Sequence, residues 1–225
     1  MSAATCDLVL FDLDGTLVDS APDLAGAAND LRAEHGLAPL PYERLRPLVG
    51  TGARGMVGAA FGKAPGDDDF ERLRDAFLSR YESRLLQLTD VFADVRPMLA
   101  ALGERGHRWG IVTNKATRYT QPIVNGLAAL APAVVVISGD TTPRAKPHPD
   151  PLLEAARRAG VAPERCIYVG DDLRDVQAGR AAGMATLVAA WGYLGDAAQV
   201  GEIHEWSADA VLHEPAALLK WLGMP

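Results

Sequence analysis

The stretch Leu8-Val9-Leu10-Phe11-Asp12-Leu13-Asp14-Gly15-Thr16 constrains this chain more than any other. Apolar, strand-forming residues deliver two carboxylates, two positions apart, onto a turn that contains glycine. Side chains at i and i+2 of an extended chain share a side. Two like charges ~4 Å apart repel by up to ~4 kcal/mol at a near-surface dielectric. A fold retains such a pair where a cation neutralises it, or where one carboxylate attacks and the other moves protons. The chain therefore needs a strand ending at a reaction centre, and further elements that bring partners to it.

Beyond this strand the pattern is helical. Ser20, Pro22 and Asp23 read as a helix start, with Ser20 as cap and Asp23 completing a box-like pattern. Leu24, Ala27, Ala28 and Leu31 repeat at helical spacing, as do Phe70, Leu73, Phe77 and Tyr81. Between them lies a Pro- and Gly-rich middle centred on Val49 to Arg54, and Gly62 to Asp69 is a loop. No strand is expected up to about Leu88.

From Val91 the pattern alternates. Helices are expected over 91–105, from 113 to 127, over 151–159 and up to 182. Asp150 should cap the third, and Gly106, Gly160 and Gly183 follow helix ends. Strands are expected over 109–113, 133–138, 166–170 and 185–190, with a weak edge strand over 208–212. Apolar strands alternating with amphipathic helices imply a parallel sheet covered on both faces. The expected fold is α/β: a doubly wound, Rossmann-like sheet with a small helical cap inserted after the first strand. The expected core is 1–18 and 90–225, and the cap is 19–89.

Composition narrows the function. A length of 225 residues suits one domain with a smaller insert. A net charge of −7 argues against a general nucleic-acid or membrane-surface role. No apolar run approaches the ~20 residues of a membrane span, and the start lacks an export-signal pattern, so a cytoplasmic location is expected. Cys6 and Cys166 lack metal-ligand spacing and should be reduced.

Four clusters fall just after expected strands or in the adjoining loops: Asp12 with Asp14, Thr113-Asn114-Lys115, Lys146 between two prolines, and Asp171-Asp172 with Asp175. In open α/β sheets ligands bind outside the carboxyl ends of the strands, so the four should converge on one cleft. The inventory suits phosphoryl transfer. A carboxylate can attack phosphorus, and Mg²⁺ can hold carboxylates against a phosphate. Lys and Thr can stabilise charge on phosphate oxygens, while a second carboxylic acid serves the leaving oxygen and then water. A calcium loop would need glycine where Leu17 stands. Asp172 reads equally as a helix N-terminal acid.

With these motifs the chain resembles the haloacid dehalogenase-like hydrolases, in particular phosphatases with a helical cap. The first motif corresponds to Asp12 through Ser20, the second to Thr113, the third to Lys146 and the fourth to Gly170 through Asp175. The resemblance implies Asp12 as nucleophile and Asp14 as general acid and base. It implies Mg²⁺ on Asp12, the Asp14 backbone carbonyl and Asp171, with Asp172 or Asp175 behind them. It favours a phosphatase over a dehalogenase because the second acid, Asp14, is present. A phosphosugar mutase would use the same parts. A signalling receiver domain would be shorter, without a helical insert after its first strand. Thr51 to Val57, Trp109 to Lys115 with Arg118, and Val169 to Arg180 further resemble phosphatases of N-acetylmuramic acid 6-phosphate and of phosphoglycolate. The expected partner is a small phosphorylated metabolite, contacted by Gly15, Thr16, Arg54, Asn114, Lys115 and Arg118. Arg54 is the expected partner of a carboxylate remote from the phosphate.

Overall fold

A computed structural model describes residues 6–195 and 201–224. Six parallel strands form the main sheet: β1 (Leu8–Phe11), β4 (Arg108–Val112), β5 (Val136–Ile137), β6 (Cys166–Gly170), β7 (Ala185–Ala189) and β8 (Ala210–Leu212). Their spatial order is β5-β4-β1-β6-β7-β8. The chain lays strands outward from β1 on one side, then crosses back to β6 on the other. Strand order thus reverses between β1 and β6, the point where a crevice opens in a doubly wound sheet. The register pairs Phe11 with Ile111 and with Val169, so Asp12, Thr113 and Asp171 come next at nearly the same level.

Alternation along β1 explains the two-sided core. Val9 and Phe11 pack with Met98, Leu99 and Leu102 of α5 (Val95–Glu104), Ile123 of α6 (Thr117–Gly126) and Leu218 of α9 (Ala216–Trp221). Leu8 and Leu10 face the opposite way, against Leu152 and Ala155 of α7 (Asp150–Ala159) and Ala178 of α8 (Leu173–Ala181). Each such side chain, fully buried, contributes roughly 1.5–3 kcal/mol of transfer free energy.

The insert between the first strand and the rest of the sheet contains α1 (Ala21–Glu34), α2 (Tyr42–Leu45), α3 (Gly52–Phe61) and α4 (Phe70–Arg84). Helices α1 and α4 pack together, and Leu24, Leu31, Met56, Phe77 and Tyr81 form a separate hydrophobic cluster. The chain enters and leaves through a two-stranded antiparallel ribbon, β2 (Val18–Asp19) with β3 (Asp90–Val91). These two-residue strands replace the start of the helix expected from Val91, which begins only at Val95. The strand expected over 133–138 is reduced to Val136–Ile137.

Two expected caps are corrected. Ser20 makes no side-chain cap on α1, because its hydroxyl donates to Asp14. Asp23 instead accepts from the Leu88 and Thr89 amides and the Thr89 hydroxyl, which ties α1 to the exit of the insert. Asp150 is the first residue of α7 and pairs with Arg144. Cys6 and Cys166 are free thiols, and burial pushes them up to about 11 and about 12. Among the described residues no helix is long and apolar enough to cross a membrane.

Candidate active site

Asp12 directly follows strand β1, and its amide donates to the Val169 carbonyl at 2.9 Å. The turn after it depends on Gly15, which has φ +85°. A Cβ at Gly15 would lie 2.2 Å from Asp171 Oδ2, so glycine lets the end of β1 approach the end of β6. Asp171 is held at both oxygens. Thr16 Oγ1 donates to its Oδ1 at 2.8 Å and the Tyr193 amide donates to its Oδ2 at 2.8 Å. Burial, then repulsion from Asp12 and Asp175, raises Asp171 well above the usual carboxylate range.

Lys146 sits at the centre. Its Nζ lies 2.9 Å from Asp12 Oδ1 and 2.7 Å from Asp175 Oδ1. It also donates to the Tyr168 hydroxyl at 2.7 Å and the Val112 carbonyl at 3.1 Å. Burial pulls this lysine down, but Asp12 and Asp175 outweigh it and hold the ammonium charged. Asp175 is pushed up to about 7 by burial against the pull of Lys146. Asn114 fixes the lysine's backbone at two points: its amide nitrogen donates to the Lys146 carbonyl, and its oxygen accepts from the Lys146 amide, both at 2.9 Å.

Asp12, Asp171 and Asp175 are all buried, and each offers one oxygen within 4.8 Å of the others. Asp12 Oδ1 also lacks an aligned hydrogen-bond donor although Lys146 is close. Three carboxylates against one ammonium, all ionised, leave a net charge of −2. Hard oxygen donors and excess negative charge fit Mg²⁺. Asp172 lies outside this cluster. It caps α8, accepting from the Arg174 amide and guanidinium. Burial raises it, and the Arg174 hydrogen bonds more than reverse that. Of the two acids, Asp175 joins the other carboxylates and Asp172 does not.

Asp14 faces a different set. Its carboxylate accepts from Lys115 Nζ at 2.9 and 3.0 Å and from Ser20 Oγ at 2.5 Å. Lys115 Nζ in turn lies 4.7 Å from the centre of the Tyr81 ring. Thr113 is buried after β4, and its hydroxyl accepts from the Lys115 amide at 3.2 Å.

These groups line a cavity of about 440 Å³. Asp12, Asp14, Thr113, Lys146 and Asp171 form its floor, while Val49, Gly50, Phe77, Leu78 and Tyr81 come from the insert and Arg118 and Tyr119 from α6. Of the expected contacts, Asn114, Lys115 and Arg118 line the cavity, and Arg54 does not. It is exposed and does not line the cavity, because α3 buries Met56, Val57 and Ala60 and leaves Arg54 in solvent. Gly15 and Thr16 do not line it either; both support Asp171. Tyr168, Tyr193 and Arg174 were not anticipated. A tyrosine inside an otherwise aliphatic buried strand is the one visible hint, at Tyr168.

The family model for haloacid dehalogenase-like hydrolases matches residues 9–189. The chain belongs to the haloacid dehalogenase-like hydrolases. The match begins inside β1, includes the helical insert and ends with β7, so all four motifs of this hydrolase lie within it. It is 40% identical over 211 residues to an N-acetylmuramic acid 6-phosphate phosphatase of Pseudomonas aeruginosa, covering 94% of this chain and 92% of the relative. It is 45% identical over 218 residues to a phosphoglycolate phosphatase of Xanthomonas campestris, covering 96% of each. Among solved structures, a "predicted phosphoglycolate phosphatase" from Haemophilus somnus superposes with a TM-score of 0.83 at 28% identity, covering 98% of both chains.

Proposed function

We propose that this hydrolase is a Mg²⁺-dependent phosphomonoesterase that works through an aspartyl-phosphate on Asp12. The observation that carries the reading is the placement of two differently partnered carboxylates in one cavity. Asp12 belongs to the Lys146, Asp171 and Asp175 cluster, whereas the Asp14 carboxylate accepts, among the described residues, from Lys115 and Ser20. Mg²⁺, held by Asp12 and Asp171 with Asp175 beside them, would neutralise the carboxylates and the incoming phosphate.

The Asp12 carboxylate forms a bond to phosphorus as the ester P–O bond breaks, and Asp14 gives its proton to the departing oxygen. In the second half Asp14 takes a proton from water, whose oxygen bonds to phosphorus as the Asp12 O–P bond breaks. Free phosphate and the alcohol leave. Lys115 links the two halves. An arriving phosphate dianion competes with Asp14 for the ammonium and releases the carboxylate to carry a proton. Thr113 and Lys146 stabilise the phosphate oxygens. Residues 19–89 act as a cap over the core of 1–18 and 90–225, excluding water during the transfer.

The favoured substrate is N-acetylmuramic acid 6-phosphate. A cavity of about 440 Å³ is far roomier than a two-carbon acid phosphate needs, and it carries Arg118 for an acidic substituent. The second reading, 2-phosphoglycolate, rests on the 45% identical relative. Phosphate release from both esters decides between them. We expect higher kcat/KM for the muramic ester, loss of turnover in EDTA, and a drop of about a thousandfold or more in Asp12→Asn. An Asp12→Asn protein that keeps substantial activity, with deamidation excluded, overturns the nucleophile. A clear preference for 2-phosphoglycolate overturns the substrate.

A further inference from the structure

One wall of the cavity holds two buried phenols that the proposed chemistry does not use. Tyr81 of α4 is 1% exposed and Tyr119 of α6 is 5% exposed, and both line the cavity. Their ring centres lie 5.4 Å apart. Lys115 lies beside the Tyr81 hydroxyl and Arg118 beside that of Tyr119, but both are donors, and among the described residues neither phenol O–H has an acceptor. A buried O–H left without an acceptor costs about 1–3 kcal/mol, so two together in one wall call for a ligand that accepts. Burial pushes the Tyr81 hydroxyl up to about 12 and raises that of Tyr119, so both stay protonated and able to donate.

Their surroundings select what they would meet. The Arg118 guanidinium lies 4.5 Å from the centre of the Tyr119 ring, and Lys115 sits 4.7 Å from that of Tyr81. Two donors between two cations suit an anionic acceptor better than a neutral hydroxyl or an apolar group. Leu24, Val49, Phe77 and Leu78 supply the apolar remainder of the wall, against which a sugar ring or an acyl methyl can rest. We infer that Tyr81 and Tyr119 read a carboxylate on the leaving group, making this hydrolase selective for acidic sugar phosphates. The inference rests on the phosphomonoesterase reading and names the residues that set its substrate class. In this role the phenols determine specificity and take no part in proton transfer.

The test compares two esters that differ chiefly in the acid: N-acetylmuramic acid 6-phosphate, and N-acetylglucosamine 6-phosphate, which lacks the lactyl carboxylate. Titration calorimetry with Mg²⁺ on Asp12→Asn protein gives both affinities without turnover, alone and with Tyr81→Phe or Tyr119→Phe added. Phenylalanine keeps the ring packing and removes only the hydroxyl. The expected result is a loss of about tenfold per hydroxyl for the muramic ester and a much smaller loss for the glucosamine ester. Equal losses for the two esters, no loss for the muramic ester, or no binding of it to the Asp12→Asn parent overturns the inference. Phosphate release by the unmodified enzyme is read separately. Selective binding without release would overturn the phosphatase reading and leave the recognition site standing.

Discussion

Gly15 shows how closely the residues of this site are interlocked. Its φ of +85° is one that other residues adopt at a cost, and a Cβ there would overlap Asp171 Oδ2 at 2.2 Å. Gly15→Ala must therefore push Asp171 away from Thr16 or open the turn that carries Asp14. Strain of this kind costs on the order of 1–3 kcal/mol. The expected outcome is a lowered Tm together with Mg²⁺ affinity weakened by about tenfold or more, read by calorimetry. A variant with unaltered Mg²⁺ affinity would show that Asp171 is not a ligand. Asn114 makes the same point from the other side. Its amide is used at both ends on the Lys146 backbone, which fixes the placement of that lysine.

At the scale of elements, one side chain joins the insert to the sheet above the cavity. Arg174, in the first turn of α8, clasps Asp172 with Nε and Nη2 and donates from Nη2 to the Gly50 carbonyl of the insert. Arg174→Ala keeps the backbone amide that Asp172 caps, so α8 should survive while the link to the insert is lost. A charged hydrogen bond of this type, at a partly exposed side chain, is worth roughly 1 kcal/mol. The expected outcome is a KM for sugar phosphate raised about three- to tenfold, with kcat falling less and Tm nearly constant. A KM identical to that of the unmodified enzyme would mean that Arg174 does not hold the insert in place. Elements of this kind were only partly legible in the sequence. Strands β1, β4 and β6 announce themselves as apolar runs ending in polar motifs, which is why their motifs can be brought to one cleft from the sequence, whereas the carboxylate set expected around a metal rests on the family resemblance. The β2–β3 ribbon does not announce itself, because two residues per strand carry no periodicity. Tyr193 was invisible for another reason. Its hydroxyl accepts from the Ser20 and Ala21 amides, contacts spanning 173 and 172 residues, and takes the capping place expected of Ser20. The exposure of Arg54 is not legible either, because a cation near glycines says nothing about which face of its helix is buried.

For the molecule as a whole, the reversal of strand order between β1 and β6 concentrates negative charge where the chain is most buried. Asp12, Asp171 and Asp175 share one ammonium, and without a cation this arrangement opposes folding. The shifts of the carboxylates fix the sign of its pH dependence. Asp175 is pushed up to about 7 and Asp171 well above its ordinary value, chiefly by burial. Between about pH 4 and about pH 7 the metal-free folded protein therefore binds more protons than the unfolded chain. Its stability falls as pH rises through that window. Mg²⁺ held by the deprotonated carboxylates would expel those protons, so its stabilisation should grow with pH over the same range. Exposed ion pairs such as Glu154 with Arg157 and Arg158 contribute their own pH dependence, but equally in both conditions. The difference between Tm in excess Mg²⁺ and Tm in EDTA isolates the cluster. It should be small near pH 5 and widen to several degrees by about pH 8. Asp175→Asn should flatten that widening, since it removes one of the titrating groups. A gap that is absent, or that stays constant with pH in the unmodified protein, would mean that these carboxylates do not meet a metal in the folded state.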